Sequence, residues 1–433
     1  MLKFLAELII MVLLIVWGLR IGRALGAAVM SILGVAIMAF FFHVQPGQIA
    51  VNAVLIILSI AVAGGVLEVT GGLGYLVYLA ERLIKRWPKL VTFLSPLIIF
   101  VFVFGIGTSN ITLSLEPVIS ETALEAKIRP ARPLVASVHA AQFALLCSPA
   151  AASTAFIISL LGSHGVSMHR YLGIVLPTAI ISMLVLSLVM TFWHFKGGSD
   201  SEFISHAKTE VKGGAEKTGQ DFSTKTKWSV VVFLLGIFAI LLLGICPQIG
   251  PTFLVHGKAV RLLTDQLVIL FMFASAAINM AFTHIDYRKV FAAKITKSAF
   301  GAALVVMGPG WLGGTLFTNP QNVKLVKALV GNLLSHASWV IIPIVMLVSM
   351  LCISQAATSS IIFPVALSLG ISPLFMAAIV QAVNFNFGIP AIPTILFGEE
   401  IDPTGSTKRY TFLLPGLIAL IVSYLVGILL MHI

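Results

Sequence analysis

Apolar runs alternate with short polar breaks along the whole chain. Runs near the twenty or so residues that cross a bilayer fall at Phe4–Leu19, Ala24–Phe42, Ile49–Val69, Leu134–Leu161 and Tyr171–Phe195. The second half repeats the series at Trp228–Cys246, Asp265–Phe282, Ser298–Leu316, Leu374–Phe397 and Thr411–Ile433. Two further apolar runs, Leu94–Phe104 and Ile341–Ile353, are too short for a comfortable span. Each leads into a polar turn, Gly105-Ile-Gly-Thr-Ser-Asn-Ile-Thr112 or Ser354-Gln-Ala-Ala-Thr-Ser-Ser360, and then into a short apolar run carrying Pro117 or Pro364. Irregular backbone at membrane depth is tolerated only where it is buried in protein or lines a cavity. The pattern therefore predicts two re-entrant helical hairpins, at about 90–123 and 338–369, in corresponding halves of the chain.

Two of the longer runs are themselves interrupted, by Cys147-Ser-Pro-Ala-Ala-Ala-Ser153 and by Asn384-Phe-Asn-Phe-Gly-Ile-Pro-Ala-Ile-Pro-Thr394. Local matches link the halves. Pro117-Val118 answers Pro364-Val365, Arg132-Pro133-Leu134 answers Ser372-Pro373-Leu374, and Gly71-Gly72 answers Gly313-Gly314. Cys147-Ser-Pro-Ala150 answers Gly388-Ile-Pro-Ala391, so the offsets run 247, 240, 242 and 241. The reading is an all-α integral membrane fold of two inverted repeats, residues 1–195 and 228–433. Each repeat holds about five transmembrane helices plus one re-entrant hairpin, and a polar cytoplasmic linker, residues 196–227, joins them.

Composition agrees: 59% of residues are hydrophobic and 10% charged. The net charge of +11 points to membrane topology rather than nucleic acid, because the basic residues sit in loops between spans. With both termini outside, the inner loops collect 21 Lys and Arg and the outer side 6, the bias the positive-inside rule requires. The first hairpin then enters from the cytoplasm and the second from the periplasm. Lys3 ahead of the first run, with Arg20 and Arg23 behind it, is the wrong charge order for a cleavable signal. The three cysteines show neither disulfide nor zinc spacing. Tyr75–Lys89 and Gln321–Leu334 are amphipathic and fit either interface-lying arms or the wet ends of long spans.

Two tips and two broken helices bring four helix N-termini to mid-membrane. Each carries roughly half a positive charge and free N–H donors, together about the +2 that offsets a dicarboxylate dianion. Thr108, Ser109, Asn110, Thr112, Ser148, Gln355, Thr358, Ser359, Asn386 and Thr394 are the candidate binding side chains. Capping is the competing role, most of all for Thr112 and Ser359. Glu116 is either a proton or cation relay or a first-turn acid favoured by the dipole, and His139 is either a relay or hydrogen-bonded structure. Arg132 either attracts anions or only obeys the charge rule. No residues are assigned to catalysis or to a metal, and no cofactor is expected. His-Glu-x-x-His, an Asp-rich pair and Gly-x-Ser-x-Gly are all missing from the sequence, which argues against an intramembrane enzyme.

Gly107-Thr-Ser-Asn-Ile-Thr-Leu-Ser-Leu-Glu-Pro-Val-Ile119, Ser354-Gln-Ala-Ala-Thr358 with Pro364-Val-Ala-Leu367, and Ile389-Pro-Ala-Ile-Pro-Thr394 with Asp402-Pro-Thr-Gly-Ser-Thr407 resemble the Dcu family of anaerobic C4-dicarboxylate transporters. Glu116 and an extra residue around Thr108-Ser109 depart from that pattern. The resemblance covers essentially the whole chain. It implies a bacterial inner-membrane carrier of fumarate, malate, aspartate and succinate, working mainly by antiport in anaerobic respiration and by an elevator mechanism. Expected partners are these substrates and the lipid bilayer, with no nucleic acid; a homodimer stays open. A Na⁺- or H⁺-coupled carboxylate or divalent-anion symporter is the alternative, since helix C-termini at the same tips can hold Na⁺.

Overall fold

The computed structural model describes residues 2–195, 200, 221–255, 258–316, 319–322, 324, 325, 328, 337–390 and 392–432. The first two apolar runs join in one continuous helix, α1 (Leu2–Phe42), yet the backbone of Gly18 lies against Gly26 and Ala27. Residues that far apart in a straight helix are separated by about 12 Å along its axis. The chain therefore doubles back, and α1 supplies two apolar segments, Lys3–Gly22 and Leu25–Phe42. Next come α2 (Val51–Val69), α3 (Gly72–Arg86), α4 (Val91–Ile106), α5 (Asn110–Glu125), α6 (Ala131–Leu145), α7 (Ala152–Ser163) and α8 (Met168–Phe192). The second half contains α9 (Thr224–Ile245), α10 (Thr264–Thr283), α11 (Tyr287–Ala292), α12 (Lys294–Leu316), α13 (Ile341–Cys352) and α14 (Gln355–Ser368). It ends with α15 (Pro373–Ala378), a 3₁₀ run Val380–Gly388, α16 (Pro393–Ile401) and α17 (Leu413–Met431).

Among the described residues, nine helices are long and apolar enough to cross a membrane. Eight of them are predicted spans. The other two predicted spans are the interrupted ones, split into α6 and α7 and into α15, the 3₁₀ run and α16. The ninth is a correction. A 3₁₀ turn at Pro88–Leu90 lengthens the first arm of the first hairpin to Pro88–Ile106, 19 residues, enough to cross by length alone. The corresponding arm of the second hairpin, Ser338–Cys352, stays short. Among the described residues one element, a strand pair, is not helical. Between α9 and α10, β1 (Thr252–Val255) pairs antiparallel with β2 (Lys258–Arg261), Thr252 opposite Arg261. Thr252, Phe253 and Val255 on β1 and Val260 on β2 are residue types that favour strand over loop.

Helix packing separates two bodies. In one, α1 and α2 lie along α12, and α10 lies between α2 and α9. The other collects both hairpins, both broken spans, α8 and α17; it meets the first mainly where α14 lies along α12 and α7 along α2. Glu68, at the end of α2, anchors the first body: its carboxylate accepts from the Lys294 and Ile295 N–H groups at 3.0 and 2.9 Å, at the start of α12. A carboxylate there satisfies orphan donors and suits the helix dipole.

α3 buries Leu76, Ala80 and Ile84 and exposes Arg82 and Arg86, so its amphipathic pattern matches a one-sided helix. Most of its predicted counterpart, Gln321–Leu334, lies outside the described residues, as does most of the linker. The described linker residue Asp200 binds Arg132 Nε at 2.6 Å and Arg129 Nε at 3.1 Å. Arg132 Nη1 also donates to the Met190 and Thr191 carbonyls at 2.6 and 2.9 Å, closing the C-terminal end of α8. That cation is engaged in structure at the chain's basic side. The glycine pairs that answer each other in sequence differ in conformation: Gly71 is left-handed at φ +76°, while Gly313 and Gly314 lie inside α12.

Candidate substrate site

Proline and small residues break the α6–α7 run, and the freed carbonyls find partners within the protein. Thr154 Oγ1 donates to the Leu145 carbonyl at 2.6 Å and the Tyr171 hydroxyl to the Leu146 carbonyl at 2.8 Å. In the second broken span, the Ser349 hydroxyl donates to the Val383 carbonyl. Such satisfaction is what permits non-helical backbone at this depth. At the first hairpin, Gly107 turns the chain at φ +77° against the Ala150 carbonyl, docking the tip onto the first break.

The result is a cavity of about 250 Å³. It lies where α5, α7, α14 and α16 all begin, between Ser109-Asn110, Ala151-Ala152-Ser153, Ser354-Gln355-Ala356 and Ile392-Pro393-Thr394. At α7 and α16 no side chain caps the N-terminus; at α5, Thr108 Oγ1 accepts from the Asn110 N–H at 3.3 Å, and at α14, Ser354 Oγ accepts from the Ala357 N–H. Four half-charges of helix dipole converge there with orphan N–H donors, and none of the lining side chains is charged. The volume suits a small metabolite, below the roughly 300–1,000 Å³ of sites for drug-sized ligands.

An amide network braces the walls. Gln355 Nε2 donates to the Gln142 carbonyl at 3.0 Å, to Gln142 Oε1 at 3.1 Å and to Asn384 Oδ1. Ser153 Oγ donates to Gln355 Oε1 at 3.2 Å, and Asn386 Nδ2 to Gln142 Oε1 at 3.3 Å. The second tip is thereby tied to both broken spans. Asn110, by contrast, is exposed, and its side-chain amide has no hydrogen bond among the described residues.

Of the candidate binding residues, Thr108, Ser109, Asn110, Gln355, Asn386 and Thr394 line the cavity. The other four do not. Ser148 accepts from the Ala150 N–H and shapes the first break, and Thr358 donates to the Ser354 carbonyl at 2.7 Å. Thr112 and Ser359 lie buried behind the tips, their hydroxyls without a partner among the described residues. Glu116 and His139 also stand away from the cavity. His139 Nε2 pairs with the Phe412 carbonyl at 3.0 Å and its ring meets Phe387 edge-on, a packed structural contact. Gln142, Ser153 and Ser354 line the cavity and were not among the candidates. Among the described residues no group of three or more His, Cys, Asp and Glu could hold a metal ion.

A bundle of apolar helices enclosing a charge-free polar cavity at four helix ends is built as a membrane transporter. The chain belongs to the family described as anaerobic C4-dicarboxylate membrane transporters, whose model matches residues 3–433. It is similar to the C4-dicarboxylate transporter DcuA of Escherichia coli K12, 31% identical over 432 residues, covering 97% of each chain. It is also similar to the anaerobic C4-dicarboxylate transporter DcuB of Escherichia coli O6:H1, 26% identical, covering 98% of this chain and 97% of that one. In fold it resembles the Alcanivorax borkumensis YdaH transporter, with a TM-score of 0.55 at 18% identity, over 86% of this chain and 84% of that one.

Proposed function

We propose that this chain carries C4-dicarboxylates such as fumarate, malate, aspartate and succinate across the bacterial inner membrane, mainly by exchanging one for another. The observation that carries the reading is the junction of α5, α7, α14 and α16 at one cavity free of charged side chains. Dipole ends and N–H donors there match the two carboxylates of a diacid. Asn110, Ser109, Thr108, Thr394 and Asn386 are the side chains that meet the substrate, and Gln355 holds the wall behind them.

The moving part in this reading is the hairpin-bearing body, sliding as an elevator on the body built from α1, α2, α9, α10 and α12. Support comes from the seam between them, which holds a small cavity of about 90 Å³ lined mostly by apolar residues such as Ile57, Ile60, Ile106, Ile295 and Ala299, with Thr108 and Ser298 among them. Among the described residues polar contact across the seam is sparse: Ser360 Oγ donates to the Val305 carbonyl at 3.4 Å. Inverted repeats and periplasmic termini belong to the same reading, supported by the 21-to-6 charge bias. Hydrogen bonds between helix ends agree with the crossing order: Asn52 at the start of α2 meets Asp265 at the start of α10, and Thr70 at the end of α2 meets Thr226 at the start of α9.

Exchange follows from the neutral site. Empty, its unpaired donors are costly to carry through hydrocarbon; filled, they are satisfied and the dianion is offset. Proteoliposomes loaded with labelled succinate should release it slowly into dicarboxylate-free buffer and rapidly once external fumarate is added. Equal release in both conditions, with uptake driven by Na⁺ or protons alone, would establish a symporter instead.

A further inference from the structure

We propose that Glu116 is a proton-binding site coupled to the cavity, so that one proton is taken up as a dianionic substrate binds. This deepens the dicarboxylate reading and rests on it. Glu116 is the seventh residue of α5, beyond the first turn in which a helix dipole helps an acid. Thr112 and Ser120, four residues before and after it, share its helix face. Thr112 and Glu116 are fully buried and Ser120 is 3% exposed, and their side-chain oxygens have no hydrogen-bond partner among the described residues.

α16 runs beside α5 from the same cavity. Its Gly398 faces the carboxyl: a Cβ there would lie 4.0 Å from Glu116 Oε2 and 3.8 Å from the Phe412 ring. One turn nearer the cavity, Thr394 is buried with an equally unpartnered hydroxyl. The oxygens of Thr394, Thr112, Glu116 and Ser120 thus mark a polar column leading away from the cavity between two helices.

The charged groups on elements packed against α5 are occupied elsewhere or face solvent. On α3, Lys85 pairs with Glu81 and with Glu121 of α5 itself. On α6, Arg132 holds Asp200, and His139 pairs with the Phe412 carbonyl. On α16, Glu399 pairs with Arg409 and Glu400 is exposed, as is Lys89 before α4. Glu116 therefore has neither ion pair nor hydrogen bond among the described residues. The Thr112 and Ser120 hydroxyls stand about 6 Å along the helix on either side of the carboxyl, and the facing Gly398 and Phe412 ring add no oxygen. The shell of about six close oxygens that a hard cation gathers is therefore not assembled here among the described residues. A proton needs only the carboxylate oxygen.

Coupling is electrostatic. Asn110 and Glu116 are separated by about 9 Å along the helix, so a dianion in the cavity and an ionised Glu116 repel through a poorly screening interior. Protonation removes that repulsion and favours substrate; by linkage the substrate favours the proton by the same factor, in the usual range of about 5- to 150-fold.

The test uses the full-length protein in lipid nanodiscs, with fumarate as ligand. Binding is measured by titration calorimetry across pH, in buffers of differing ionisation heat, for the native protein and Glu116→Gln. The native protein should take up a proton on binding and bind more weakly as pH rises. Glu116→Gln should take up none and keep the low-pH affinity throughout; comparing the two cancels fumarate's own titration. Equal proton uptake and equal pH profiles in both proteins would overturn the proposal, as would a Na⁺ requirement lost in Glu116→Gln. Infrared pH titration of the substrate-free protein provides a second readout, a carboxylic-acid carbonyl band present in the native protein and missing in the variant. Absence of that band in both overturns the proton site; its presence, with fumarate bound by neither, overturns the dicarboxylate reading instead.

Discussion

Gly107 and Ala150 meet backbone to backbone: a Cβ on Gly107 would lie 2.1 Å from the Ala150 carbonyl oxygen. That contact seats the first hairpin tip on the break of α6–α7 and aligns the starts of α5 and α7. Gly107→Ala adds a left-handed penalty of about 1–2 kcal/mol to a clash with main chain. Substrate affinity should fall by more than tenfold, with a lowered thermal midpoint. Gly105→Ala, two residues away, meets only the end of Leu234 at 3.5 Å and should bind normally. Isothermal binding of succinate to the two variants checks the contrast; equal affinities would detach the tip from the site.

The tips also differ in how their amides are used. Asn110→Ala removes a side chain with no partner among the described residues, so stability should hold while affinity drops. Losing one hydrogen bond to a charged ligand costs about 1.5–3 kcal/mol, roughly ten- to hundredfold. Gln355→Ala strips partners from Gln142, Asn384 and Ser153. Each buried group left unpaired costs about 1–3 kcal/mol, so its thermal midpoint should fall alongside binding. Thermal unfolding and binding measured on both proteins would separate ligand contact from bracing. A Gln355→Ala protein of native stability and weak binding would move Gln355 to the ligand.

The interruptions were the legible part of the sequence. Proline, glycine and hydroxyl residues inside apolar runs located both tips and both broken spans, and with them the four helix starts around the cavity. Gln142 escaped because a single amide inside Ala140-Ala-Gln-Phe143 leaves an apolar run looking like an ordinary span. Thr358 and Ser359 share the helix face of Gln355 but stand one turn deeper, where they are fully buried in packing behind the cavity wall, a depth that polarity alone does not reveal. The β1–β2 pair was missed because the chain between two spans was read as loop, although Thr252-Phe-Leu-Val255 carries the strand composition. Long-range anchors such as the Glu68 carboxylate at the start of α12 have no local signature at all.

Glu68 makes a prediction confined to the first body. Glu68→Ala removes the acceptor for the Lys294 and Ile295 N–H groups. Loss of an N-terminal cap costs about 0.5–2 kcal/mol, so the thermal midpoint should fall. The cavity is built from other helices, and fumarate affinity should stay within about twofold of the native value, less than the tenfold that 1.4 kcal/mol represents. A large affinity loss in a stable Glu68→Ala protein would mean that this joint shapes the site.

Topology is the last expectation, and charge decides it. If the basic loops face the cytoplasm, the β1–β2 hairpin is periplasmic and the α10–α11 turn is cytoplasmic. Leu254 on β1 is 82% exposed and Tyr287 at the start of α11 is 56% exposed, so both positions are open to a reagent. With Cys147, Cys246 and Cys352 replaced, Leu254→Cys should react in intact cells with a thiol reagent that cannot cross the inner membrane. Tyr287→Cys should react only after the membrane is permeabilised. The reverse pattern would turn the protein over, exchange the sides from which the two hairpins enter, and place Glu116 in the periplasmic half.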